Sequence, residues 1–181
     1  RSRHFRLSGD DDTSGEGGGI FSLGIVHLTN CTIAENTAGA AGGIYAAGVS
    51  GSLAINDSTI ARNHAIGDSG IPGETGGLFF QLFDVQIHNT IIALNTAGAR
   101  PDVNVPITGG FNFIGTDHPV VDPRLGPLAD NGGPTETVAL LPGSPCINGG
   151  SNALVPAGVT TDQRGPGFAR IVGGTVDIGA Y

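Results

Sequence analysis

Several kinds of side chain in this sequence could carry chemistry, and each needs a particular arrangement to do so. Glu35, Asp57 and Asp84 are candidate carboxylates for glycoside hydrolysis, which works with an acid pair flanking one sugar bond. Polysaccharide lysis needs a base beside a uronate carboxylate. The chain has no lysine, so that base would be Arg62, Arg100, Arg124 or Arg164. His27 and His88 are further proton carriers. The stretch GDDDTSGE, Gly9 to Glu16, gathers four carboxylates, and calcium takes six to eight oxygens. Its spacing is not that of an EF-hand, and we read it as an acidic loop with calcium as the minority case. Phe21, Tyr45 and Phe79 could lie against sugar rings, because an aromatic face is an apolar platform. Cys31 and Cys146 are too few for a disulfide framework; they either bridge or stay as two small buried thiols, and neither has zinc-ligand spacing.

Whether any of these meet depends on the elements that position them, and those elements are written as copies. VHLTNCTIAEN (26–36), LAINDSTIARN (53–63) and VQIHNTIIALN (85–95) align without a gap. Val26, Leu53 and Val85 coincide, as do Leu28, Ile55 and Ile87, and Ile33, Ile60 and Ile92. Asn36, Asn63 and Asn95 close the copies, and a glycine pair with an aromatic precedes each: GGIF, GGIY, GGLF. FRLSGD at the start reads as the tail of another copy, with Asp10 in the asparagine column.

Within a copy the apolar residues alternate, which is strand periodicity. After Asn30, Asp57 or Asn89 the parity slips by one, which signals a bend, because Asn and Asp tolerate left-handed backbone. No Asn-Gly hairpin signal and no helix-length periodic segment intervenes. Each strand must then pair in parallel with its counterpart in the next copy. The expected fold is all-β: a parallel β-helix of about four rungs over residues 1–116, the first partial. Asp10, Asn36, Asn63 and Asn95 would form an amide ladder along it. PDVNVPITGGFNFIG (101–115) reads as a degenerate last rung. Prolines at 119, 123, 127, 134, 142 and 145 then mark 117–181 as an irregular capping segment of the same domain.

The rungs resemble the pectate-lyase-like superfamily of right-handed parallel β-helix proteins. DPRLGPLADNGGPTETVALLPGSPCINGG (122–150), TDQRG (161–165) and VDIGAY (176–181) are similar to the C-terminal region of bacterial choice-of-anchor Q domain surface proteins. Cys146 stands where that family usually has a small residue, and Asn148 where an aspartate is common. The resemblance implies a large, secreted, surface-attached protein with an extracellular or cell-surface location, and no particular catalytic activity.

Composition limits the partners. In 181 residues there are 32 glycines without a three-residue period, which excludes collagen, and the hydrophobic share of 39% excludes a disordered chain. A net charge of −8 argues against nucleic acid. No apolar run reaches membrane-spanning length. The carboxylates, arginines and histidines named above fall at different offsets in the copies, so no pair recurs on one face. The sequence therefore reads as a non-catalytic structural or adhesive module whose column Phe21, Tyr45, Phe79 either touches glycans or stacks on itself. The alternative is part of a lyase or hydrolase acting on polysaccharide. Because the chain starts inside a copy, head-to-tail stacking of identical chains into a filament is a further expectation.

Overall fold

The computed structural model describes residues 3–5 (backbone only), 15–48, 50–67, 74–81, 84–107 and 109–181. Asp10 and most of the acidic stretch 9–16 lie outside that set. The alternating segments form strands, and in each copy the chain passes through three sheets in the same order. The first copy contributes β2 (Ile20–Ser22), β3 (Ile25–Thr29) and β4 (Cys31–Ala34), followed by the two-residue β5 (Thr37–Ala38). The second contributes β6 (Ile44–Ala47), β7 (Ser52–Asn56), β8 (Thr59–Ala61) and β9 (His64–Ala65). The third contributes β10 (Leu78–Gln81), β11 (Asp84–His88) and β12 (Ile91–Ala93). Ahead of them β1 (Arg3–Phe5), and after them β13 (Phe113–Ile114), complete a five-stranded sheet in the order β1-β4-β8-β12-β13. The second sheet runs β10-β6-β2 and the third β11-β7-β3. All of these pairs are parallel.

The register puts like on like. Val26 pairs with Leu53 and Leu53 with Val85; Leu28 pairs with Ile55 and Ile55 with Ile87; Ile33 pairs with Ile60 and Ile60 with Ile92. Ile33, Ile44, Leu53, Ile55, Ile60, Leu78 and Ile92 share one buried cluster, each at most 1% exposed. Each fully buried aliphatic side chain contributes about 1.5–3 kcal/mol. Asn30, Asp57 and Asn89 adopt positive φ of 51°, 48° and 47°, the bend that the parity slip requires. A second left-handed column was not expected: Glu35, Arg62 and Leu94, at φ of 60°, 57° and 61°.

The glycine pairs have a steric cause. A Cβ on Gly43 would lie 2.4 Å from the carbonyl of Gly77, 3.1 Å from Asn63 Nδ2 and 3.2 Å from Ile60 Cγ2. Gly19 and Gly77 face the equivalent asparagine and isoleucine of their own copies. Glycine is required there because the backbones of successive copies approach too closely for any side chain.

Residues 101–114 are a partial copy. Val103 bridges to Leu78 and β13 pairs with β12, but Val105 and Phe111 are exposed, and Phe111 sits at φ 54°. The degenerate last rung therefore yields strand only at Phe113–Ile114, with a single bridge at Val103. Beyond it the pairing turns antiparallel, in β14 (Leu125–Ala129) with β15 (Thr137–Leu140) and β16 (Ile171–Val172) with β17 (Thr175–Val176). This segment lies along the outer face of the five-stranded sheet, where Leu125, Val138, Cys146 and Ile178 pack on Ala34, Ala61, Ile91, Ala93 and Phe113.

Candidate functional site

Phe21, Tyr45 and Phe79 are in register on β2, β6 and β10. In a parallel ladder, neighbours in one column stand a strand spacing apart, about 4.8 Å, and flat rings then meet face to face. The Phe21 and Tyr45 centroids are 5.6 Å apart at 24°, and those of Tyr45 and Phe79 are 4.7 Å apart at 11°. Each inner face is thus occupied by the neighbouring ring, and the three do not lie side by side as a platform. Tyr45 and Phe79 are half-buried, while Phe21, on the edge strand, is 49% exposed. Burial, and after it the carboxylates of Glu16 and Glu74, raise the Tyr45 pKa, so its hydroxyl stays protonated and available as a hydrogen-bond donor.

The asparagine column is a directed chain of hydrogen bonds. Asn36 Nδ2 donates to Asn63 Oδ1 at 2.9 Å, and Asn63 Nδ2 to Asn95 Oδ1 at 3.0 Å. The backbone N–H of each donor residue reaches the same oxygen. Asn95 in turn donates from Nδ2 (2.9 Å) and N (3.2 Å) to Asp102 Oδ1. Asp102 thus stands at the end of the column, seven residues after Asn95, and sequence spacing gave no sign of it. A carboxylate suits that place because it accepts and passes no donor onward. Burial is the main cause of its raised pKa, offset by the bonds from Asn95.

The carboxylates considered for hydrolysis are dispersed. Asp57 is fully buried; its Oδ1 accepts from Asn89 Nδ2 at 3.1 Å, and burial raises its pKa against the opposing charge of Arg170. Asp84 is exposed on β11, and Glu35 is exposed in the second left-handed column. Of the arginines considered for lysis, Arg62 donates to the Leu125 carbonyl and Arg124 to that of Pro142. Arg164 is held by Asp162 at 2.6 Å between the rings of Phe168 and Tyr181. His27 and His88 occupy different columns of the third sheet, so they do not converge. Cys31 and Cys146 are separate buried thiols; burial pushes the Cys146 pKa up to about 11, which leaves it unreactive. Among the described residues, no three His, Cys, Asp or Glu side chains gather as a metal site. Among the described residues, no helix is long and apolar enough to cross a membrane.

A groove of about 510 Å³ opens between Leu94, Pro101 and the loop Thr116–Pro123. Its walls are largely apolar, and Asp102, which lines it, accepts hydrogen bonds from Asn95 of the ladder and from the backbone of Thr116. The features best placed to meet another molecule are the open end of the aromatic stack and this groove. No protein-family model matches the chain, and neither a curated protein nor a solved structure matches it.

Proposed function

We propose that this chain is a right-handed parallel β-helix of stacked turns serving as a non-catalytic structural or adhesive module at a cell exterior. The observation that carries the reading is the register: three copies visit three parallel sheets in a fixed order and set aliphatic, aromatic and asparagine residues in file. Parallel crossovers favour the right hand. Such a body is stiff and long-walled, and its interior is filled by side chains that have no freedom for chemistry. The surface location follows from the resemblance of residues 122–181 to choice-of-anchor Q domain proteins, and the dispersal of the carboxylates and arginines favours a scaffold over an enzyme.

Contact with glycans would fall at the end of the aromatic stack. Phe21 ends the stack on β2 and is the most exposed of the three rings, so a sugar ring stacks there and not along the column. In affinity electrophoresis through neutral polysaccharides, Phe21→Ala should abolish retardation, while Phe79→Ala leaves it. Equal loss in both variants would place the contact elsewhere. The same polysaccharides, incubated with the chain and assayed for reducing ends and unsaturated products, should show no turnover; product above background would make the chain part of a lyase or hydrolase.

A further inference from the structure

The second and third sheets stop at β2 and β3, and this edge differs from the rest of the molecule. Among the described residues, no strand pairs with the far side of either one. The core columns thin out here: Ile20 is half-buried where its partners Ile44 and Leu78 are fully buried. Three large apolar side chains cluster at the corner, Phe21 at 49%, Leu23 at 64% and Ile25 at 70% exposure. Ile25 is the sharpest of them, because its column holds Ser52 in β7 and Asp84 in β11. The outward position that takes a polar residue in the inner copies takes isoleucine at this edge. An edge strand with free backbone groups and apolar flanks is a template for strand addition.

The five-stranded sheet identifies what belongs there. It extends one strand further, to β1, which pairs with β4 in the register Arg3–Cys31, His4–Thr32, Phe5–Ile33. In every copy the strands of the second and third sheets come directly before the strand of the five-stranded sheet. β1 is a strand of that last type, so the places beside β2 and β3 are those of the strand pair that precedes it in chain order. A second copy of this chain fits poorly. Its far end would bring β13 against β1, and because the five-stranded sheet runs one strand further at both ends, a gap of two strands would open in the third sheet, and in the second only the single bridge at Val103 would narrow it.

Resting on the stacked-turn reading above, we infer that the β2–β3 edge is a docking surface for one more strand–turn–strand segment of the repeat's own pattern. That segment adds in parallel, in the place that comes before β1 in the order of the repeat. It carries aliphatic residues in the columns of Ile20, Val26 and Leu28 and covers Phe21, Leu23 and Ile25. Glycan stacking on Phe21 and docking of this segment then compete for one face.

The test is to place a duplicate of residues 42–57 directly ahead of Arg3. Thr32 pairs with Thr59, which puts Arg3 at the level of Ser58 and fixes that length. Amide hydrogen exchange in β2 and β3 should slow on the order of tenfold or more in the extended chain, relative to the unextended one. A composition-matched scrambled extension should leave it fast. Unchanged exchange in β2 and β3, with β7 and β8 still protected, overturns the docking and leaves the stack intact. Equal protection by the scrambled extension overturns it too. A concentration-dependent dimer of the unextended chain with protected β2 and β3 assigns the edge to a second copy and overturns the proposal. Unprotected β7 and β8 in the unextended chain would remove the stacked-turn reading itself, and the docking with it.

Discussion

Leu94 holds a backbone conformation that its side chain opposes. At φ 61° its Cβ crowds the following carbonyl, a strain of about 1–2 kcal/mol for an L-residue. Its side chain is 43% exposed, so little buried surface offsets that strain. Leu94→Gly should therefore raise stability by about 0.5–1 kcal/mol in urea denaturation, even after the entropy glycine adds to the unfolded chain. Glu35 and Arg62 share this conformation. The three explain why one bend of each copy was legible and the other was not. Asn30, Asp57 and Asn89 announce a left-handed turn by residue type, whereas glutamate, arginine and leucine do not. At the second bend the stacking of the surrounding strands sets the conformation against local preference.

At the scale of elements, the asparagine file shows what repeats reveal and what they conceal. Asn36, Asn63 and Asn95 were legible because each ends an aligned copy, and a column needs the same hydrogen-bonding group at every level. Asp102 was not, since Pro101 and Asp102 follow the third copy after a short loop and the 26- to 32-residue spacing of the column breaks there. Its electrostatics can be measured. Burial raises the Asp102 pKa above the ordinary 3.8, so the folded chain holds that proton more tightly than the unfolded chain does. The stability this group contributes is fully present below the ordinary value and is lost as pH rises through the folded value. Asp102→Asn removes that titration while keeping an oxygen for the donors of Asn95. The gain in urea midpoint on going from pH 7 to pH 4 should accordingly be larger in the wild type than in the variant; an identical gain in both would contradict the assignment.

The whole molecule depends on a seam that no periodicity foretold. Thr32 Oγ1 donates to Gln163 Oε1 at 2.6 Å, and Gln163 Nε2 donates to Thr135 Oγ1 and to the Glu136 carbonyl. Asn30 Nδ2 reaches the Thr161 carbonyl at 2.7 Å, Ala180 N reaches Thr59 Oγ1, and Ser151 N reaches Asn89 Oδ1. Arg170, buried beside Asp57, donates to the carbonyls of Gly179 and Asp177. The proline-rich run predicted irregular chain against the coil, but not which face it would cover, because a non-repeating segment leaves no column to align. Gln163 joins the first copy, the β14–β15 loop and the tail at one fully buried point. Gln163→Ala should cost about 2–4 kcal/mol through orphaned buried groups and a cavity. Limited proteolysis should then cut within 161–181 before it cuts the strands.

The one-way donation from Asn36 through Asn63 and Asn95 into Asp102 has a bearing on how such a chain can grow or shrink. Every interior member both gives and receives, so a whole period duplicated or deleted between Asn36 and Asn95 leaves each donor matched and the terminal acceptor in place. Length is then adjustable in integral units without redesigning either extremity, while a change of a fraction of a period would set donor against donor.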